Sequence, residues 1–171
     1  MMADFLEKNL AVIRRSSPEL AEKILHARGD GLTLRPESAR NGLPTLVAVR
    51  EDKESHPHSR HDPLREARNT LQGAIPATPD MIILGGFGLG YHAEAALALF
   101  PEAVVVVIEY APAIMREAFR VRDLTPLLES GRLDLVVSEE LDDIIPLLEG
   151  RATRQTSMVL HRPSCDLFPE F

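Results

Sequence analysis

Hydrophobic positions in the first fifty residues change from a helical to an alternating spacing. Residues 3–15 and 17–29 each place apolar side chains at helical intervals. Residues 32–49 are typical of two short strands, and Asn41 and Gly42 between them favour a turn. The pattern predicts two helices followed by a β-hairpin.

The next segment has no hydrophobic period. Residues 50–61 are polar and charged, so we predict an exposed connection there. Residues 62–72 then regain helical spacing, with Asp62 placed as an N-cap and Pro63 at the first helical position. A third helix is therefore predicted directly after the connection.

From residue 80 onward, short apolar runs alternate with helical segments. The predicted strands are residues 81–86, 103–110, 133–138 and 157–162, and the predicted helices are 88–100, 111–124 and 139–150. Runs that are apolar on both faces are typical of parallel strands covered on both sides. Strands and helices in alternation indicate βαβ units. The sequence thus predicts an α/β fold, with a Rossmann-like, doubly wound and mainly parallel sheet over residues 62–171. A small α+β N-terminal extension, residues 1–61, precedes it.

Composition narrows the classes of function. The chain has 171 residues, 44% of them hydrophobic and 26% charged, which is typical of a globular protein. Its net charge of -7 argues against nucleic acid as a partner. The longest apolar run, residues 103–108, is too short to span a membrane, and the N-terminus has no signal-peptide pattern. We expect a soluble, cytoplasmic protein without a membrane partner.

Three glycines at alternate positions follow the first parallel strand. Gly86, Gly88 and Gly90 would lie at the carboxyl end of the sheet, where such folds bind ligands. The dinucleotide fingerprint would place its third glycine at position 91, where Tyr91 stands. The spacing is also similar to the loop of S-adenosylmethionine-dependent methyltransferases, which usually have an acid where this chain has Leu84. A nucleotide loop, a methyltransferase loop and a simple tight turn all stay open.

Glu109 ends the second parallel strand. An acid at this place commonly accepts hydrogen bonds from ribose hydroxyls, and the alternative is that it only caps the helix that begins near Pro112. With the glycine loop it completes the predicted ligand-binding set, which is Gly86, Gly88, Gly90, Tyr91 and Glu109.

The remaining reactive side chains show no spacing that predicts a catalytic or metal site. His56, His58 and His61 lie in the polar connection without the spacing of metal ligands, so we expect them to be solvated. His92 falls in the first turn of a helix, where it would either pack as a neutral ring or contact a ligand. Cys165 has no identifiable base partner, and no catalytic triad or carboxylate pair is visible.

Three segments resemble the N-terminal region of the motility accessory factor (Maf) family. They are HSRHDPLREA (58–67), IILGGFGLGYHAEAAL (82–97) and VVVVIEYAPAIMREAFRVRDLTPLL (104–128). The most specific features are Ser59, Asp62-Pro63, Glu66 and the string from Gly88 to His92. Members of this family are linked to flagellin glycosylation, and they resemble transferases that place nonulosonic acids from CMP-sugars on Ser or Thr of flagellin.

The resemblance implies an accessory domain without a complete active site. Proteins of the family are several times longer than this chain, and their catalytic segment is expected beyond the region that corresponds to residue 171. The chain is expected to hold a nucleotide or nucleotide-sugar, or to dock flagellin or the C-terminal catalytic region. An S-adenosylmethionine-dependent methyltransferase and a pure protein-interaction module are the alternatives, and the sequence identifies no cofactor.

Overall fold

The computed structural model describes residues 4–29, 31–138, 146, 149 and 155–168. Its helices are α1 (Leu6–Ser16), α2 (Pro18–Leu25), α3 (Pro63–Ala74), α4 (Tyr91–Leu99), α5 (Pro112–Val121), α6 (Thr125–Leu128) and α7 (Arg162–Leu167). Its strands are β1 (Leu32–Ser38), β2 (Pro44–Arg50), β3 (Lys53–Ser55), β4 (Met81–Gly85), β5 (Val104–Glu109), β6 (Leu133–Val137) and β7 (Thr156–Leu160). The helix predicted at 139–150 lies outside the described residues. None of the helices in the described ranges has the length and hydrophobicity needed to cross a bilayer.

The strands form two sheets. One is antiparallel, in the order β1-β2-β3, and the other is parallel, in the order β6-β5-β4-β7. The predicted α/β class is confirmed, with N-terminal helices and a small antiparallel sheet beside the parallel one. Because β5 and β7 lie on opposite sides of β4, the strand order reverses between β4 and β7. Such a switch point is where open α/β sheets bind ligands.

The central strands are buried along almost their whole length. All five residues of β4 are buried, and in β5 only the first residue, Val104, is exposed. Parallel strands covered on both faces need apolar side chains at successive positions, because neither face meets water. This explains why the sequence runs of residues 81–85 and 105–108 lack an alternating pattern.

The N-terminal helices share the core of the parallel sheet. Leu10 of α1, Ile24 of α2 and Leu46 of β2 belong to the same buried cluster as Ile82 and Phe119. The predicted boundary between residues 61 and 62 stays a prediction. The shared cluster means that the two segments bury apolar surface against each other.

Several local predictions differ from the structure. Residues 50–61 were predicted to be an exposed connection, and this is wrong in part: Lys53–Ser55 form β3 against β2, and the His58 side chain is buried. Helix α4 begins at Tyr91 and not near Gly88, because Gly90 is in the left-handed region at its N-cap. The predicted Asp62 cap is confirmed, since its carboxylate accepts a hydrogen bond from the Arg65 amide at 3.0 Å.

Candidate functional site

The glycine loop, residues 86–90, connects β4 to α4 beside the switch point. Gly86, Gly88 and Gly90 have φ angles of 98°, 54° and 83°. Glycine adopts this region at little cost, whereas a side chain with a Cβ is strained there. The three glycines are thus required for the shape of this turn.

Side chains of the protein itself fill the space beside these glycines. A Cβ on Gly88 would overlap the His58 imidazole, and one on Gly86 would lie 2.8 Å from the Ser164 Cβ. A Cβ on Gly90 would lie 2.9 Å from the Phe87 ring. The close approach that glycine permits here is an approach of protein side chains.

The amides of the loop donate to protein acceptors. The donors and acceptors are Gly86 N to Ile108 O (2.7 Å), Phe87 N to Glu109 Oε2 (2.8 Å), Leu89 N to His58 Nε2 (2.7 Å) and Gly90 N to Phe87 O (2.8 Å). Loops that hold phosphate do so with amides that are free to donate to it. In this conformation those four amides are already engaged.

Glu109 is the central acceptor of the loop. Its side chain is buried, and its second oxygen, Oε1, accepts a hydrogen bond from the Ala111 amide at 2.9 Å. Burial raises the pKa of this carboxyl, while the amides of Ala111, Phe87 and Gly88 oppose that rise. Two roles were predicted for Glu109. The hydrogen bond from the Ala111 amide, at the start of α5, supports the structural role. A contact with ribose stays a prediction.

Tyr91 packs α4 against the antiparallel sheet. Its hydroxyl donates to the Pro44 carbonyl at 2.7 Å, and the Arg122 guanidinium lies 3.8 Å from its ring centroid. Burial raises the pKa of Tyr91 to about 12. The phenol therefore stays protonated and fixes the first turn of α4.

Three buried histidines meet at the switch point. His58 follows β3, His92 lies in the first turn of α4, and His161 comes directly after β7. One nitrogen from each lies within 4.8 Å of the others. The His161 ring centroid is 5.0 Å from that of His58 and 4.8 Å from that of His92. The fold thus gathers rings that are far apart along the chain.

All three rings are neutral. Burial lowers the pKa of His92 to about 4 and that of His161 to about 3, and it lowers the pKa of His58 well below its usual value. The Pro57 carbonyl can only accept, so His161 Nε2 donates to it at 2.7 Å, and His161 Nδ1 accepts from the Ser164 hydroxyl at 2.6 Å. His58 Nδ1 and His92 Nδ1 are buried and have no hydrogen-bond partner in the described part of the chain.

In the sequence, His58 lies in the same polar connection as His56 and His61. His56 and His61 are exposed, as expected, but the expectation that His58 is solvated was wrong. His161 is not among the residues that the sequence pattern indicated. Its place directly after a parallel strand is the signal that could have found it, since residues that follow such strands meet at one edge of the sheet. Cys165 has a pKa raised by burial, which disfavours the nucleophilic thiolate.

A pocket of about 470 Å³ opens beside the histidines. His92 and His161 line one part of it, and Met158 and Leu160 of β7 line another. The remaining lining comes from Pro57, Glu66, Thr70, Ala74, Val159, Arg162 and Pro163. Two of the three histidines therefore lie at the wall of an open pocket.

Comparison with known proteins found a likeness among solved structures. No family model and no curated protein matches the chain. The solved structure of a Maf glycosyltransferase from Magnetospirillum magneticum AMB-1 matches with a TM-score of 0.63 at 14% identity, over 92% of this chain and 32% of that chain. The chain has the fold of a domain of a Maf glycosyltransferase. The resemblance to Maf is thus confirmed at the level of the fold, and the chain spans about a third of the solved protein.

A second match carries no argument. A putative transferase, PH0793 from Pyrococcus horikoshii, aligns with a TM-score of 0.35 at 16% identity, over 58% of this chain and 38% of that chain.

Proposed function

We propose that this chain is an accessory domain of a Maf-like flagellin glycosyltransferase, and that it docks the transferase part of such a protein. The observation that carries the proposal is the exposed apolar edge of the parallel sheet at β7. A location in the cytoplasm is part of the same proposal.

The outer strand β7 presents large apolar side chains to solvent. Met158 and Leu160 are 60% and 53% exposed, and they point to the same side of the strand because they are two residues apart. In the described part of the chain, β7 pairs with β4 along one edge only. An open strand edge with exposed apolar groups is a surface that proteins usually cover.

The transferase part is the occupant best supported by the comparison. The Maf structure is matched over only 32% of its length, so most of that protein lies outside the matched domain. A domain within a longer chain packs against its neighbours through surfaces of this kind. Flagellin is the other candidate for the same surface.

The glycine loop gives less support to a nucleotide ligand than β7 gives to protein docking. Four of its amides and both oxygens of Glu109 are engaged within the protein. A nucleotide, nucleotide-sugar or S-adenosylmethionine would have to replace these bonds. The ligand-binding roles of Gly86, Gly88, Gly90, Tyr91 and Glu109 therefore stay predictions.

Calorimetry tests the docking proposal. It measures binding between the purified chain and the transferase region of a Maf-like protein from the same source. We expect saturable binding that weakens at least tenfold in the double variant Met158→Glu/Leu160→Lys. The matched control is Val104→Lys, which changes an exposed apolar residue on β5 and should bind like the parent. Absence of binding, or equal weakening in the control, would reject the proposal.

Two further experiments distinguish the alternative functions, an interaction module and a nucleotide-binding domain. Binding of flagellin without the transferase region would favour an interaction module for the acceptor. A rise in melting temperature with CMP, UDP, S-adenosylhomocysteine or NAD would favour a nucleotide-type ligand, because a ligand bound only by the folded state stabilises it. We expect no such rise, and no sugar transfer from a CMP-nonulosonic acid to flagellin by the chain alone.

A further inference from the structure

We propose that His58, His92 and His161 bind a divalent transition-metal ion, such as zinc, at the switch point between β4 and β7. The ligand residues differ from those of the docking surface, although two of them line the same pocket as Met158 and Leu160, and the test does not depend on any partner protein.

The geometry is close to that of a three-histidine site. One nitrogen of each ring lies within 4.8 Å of the others, and the three rings come from segments that are distant in sequence: after β3, in α4 and after β7. Zinc–nitrogen bonds of about 2.0–2.1 Å in a tetrahedral site place the ligand nitrogens about 3.3 Å apart. Side-chain rotations that bring the rings about 1.5 Å closer would therefore complete the site.

His92 and His161 need little change to become ligands. His92 Nδ1 is buried without a hydrogen-bond partner, which is costly for a polar atom unless something binds there. His161 Nε2 donates to the Pro57 carbonyl, and this bond keeps the proton on Nε2. The lone pair of Nδ1 is then released by rotation of the Ser164 hydroxyl. A backbone carbonyl that orients a ligating imidazole in this way is usual in metal sites.

His58 has to change its hydrogen bonding. Its Nε2 accepts from the Leu89 amide, so the proton of the neutral ring is on Nδ1, where the ring also lacks a partner. Ligation through Nδ1 would move the proton to Nε2, so that two donors would face each other, and ligation through Nε2 would use the lone pair that now accepts from Leu89. The bond to Leu89 must break, so metal binding is coupled to the glycine loop.

The donor set and the access route select the kind of ion. Three imidazoles without a carboxylate suit zinc, nickel, copper or cobalt and do not suit magnesium or calcium. His92 and His161 line the open pocket, which gives the ion a path from solvent. The same opening leaves a coordination position for water or another ligand.

Titration of chelator-treated protein with zinc and with cobalt tests the proposal. We expect one ion per chain, tetrahedral-type visible bands with cobalt, and a changed NMR signal for the Leu89 amide. His92→Phe keeps the ring volume without nitrogen, and His161→Gln keeps a donor for the Pro57 carbonyl. Each should weaken zinc at least tenfold, whereas the exposed control His56→Ala/His61→Ala should not.

Each variant's fold is checked by its melting transition in chelator, and only folded variants are compared. Absence of stoichiometric binding to the parent would overturn the proposal. So would unchanged affinity in both His92→Phe and His161→Gln, or loss of binding in the His56→Ala/His61→Ala control, since the ion would then be held by the exposed histidines.

Discussion

The Glu109 carboxylate accepts a hydrogen bond from the Phe87 amide at 2.8 Å, and this bond joins the end of β5 to the glycine loop after β4. The other oxygen of the same group accepts from Ala111 at 2.9 Å, at the start of α5. One buried side chain thus holds together the loops at the carboxyl ends of two neighbouring strands.

Removal of this carboxylate should destabilise the protein without any ligand present. We expect Glu109→Ala to lower the free energy of unfolding by about 3 kcal/mol, because two buried amides lose their acceptor. Glu109→Gln should cost nearly as much, since its NH₂ group would face one of those amides. Urea unfolding measures both. The exposed Glu102→Gln is the control, with a change below about 0.5 kcal/mol. A Glu109→Gln variant as stable as the parent would contradict the need for two accepting oxygens at this position.

The parallel sheet could be predicted because its signals are local. Residues 81–85 and 105–108 are apolar at successive positions, and each such run indicates a covered strand without knowledge of its neighbours. The glycines of the loop likewise indicated a turn at the right place. The fold class follows from such runs and their alternation with helices.

The interior of the candidate site could not be predicted in the same way. His58 lies in a polar segment, and its burial depends on Gly88 and His161, which are distant in sequence. The two possible roles of Glu109 differ only in where its carboxylate points. Contacts of this kind are set by tertiary packing, which local patterns do not report.

Tyr91 makes a pH dependence testable at high pH. Its folded pKa of about 12 lies above the ordinary value of 10.0, because the phenol is buried. Between these values the native state retains a proton that the unfolded state has lost, so stability should fall as the pH rises through this window. The chain has two tyrosines and no tryptophan, so tyrosinate absorbance in Tyr110→Phe reports Tyr91 alone.

In folded Tyr110→Phe we expect no more than about a tenth of Tyr91 to be ionised one pH unit below its pKa of about 12, as long as the protein has not unfolded by then. When Tyr91→Phe is added to Tyr110→Phe, the free energy of unfolding should fall less as the pH rises through this window, because the buried phenol is gone. Ionisation near pH 10 while the protein remains folded would contradict the buried environment of Tyr91.

Asn9 connects the N-terminal extension to the parallel-sheet region. Its Nδ2 donates to the carbonyls of Phe119 (2.8 Å) and Arg122 (2.7 Å), and its Oδ1 accepts from the Leu124 amide (2.9 Å). Asn9→Leu should cost about 3 kcal/mol, at roughly 1 kcal/mol for each lost bond. Unfolding by urea should stay a single transition, because the two segments share a core.

The control for Asn9 lies on the same helix. Lys8 forms an exposed ion pair with Asp123, and Lys8→Ala should cost less than about 1 kcal/mol. Two separate transitions, with Asn9→Leu affecting only one of them, would support independent units on either side of residue 61.

Gly88 and His58 should be energetically coupled. Gly88→Ala places a Cβ at φ 54° and against the His58 ring, so it combines a left-handed backbone with a steric overlap. Gly42→Ala is the matched control, because Gly42 also has a positive φ but open space beside it. We expect Gly88→Ala to cost at least about 1 kcal/mol more than Gly42→Ala, since an overpacked site adds strain to the backbone cost.

A double-mutant cycle separates the cost of the steric overlap with His58 from the cost of the left-handed backbone at Gly88. His58→Ala removes the ring that the new Cβ would meet, so His58→Ala/Gly88→Ala should be less destabilised than the sum of the single variants by about 1 kcal/mol or more. The cycle is measured by urea unfolding in chelator, so that no metal contributes. Strict additivity would mean that the His58 ring does not lie against Gly88 in solution, and the close approach of this ring would then not be the reason for glycine at this position.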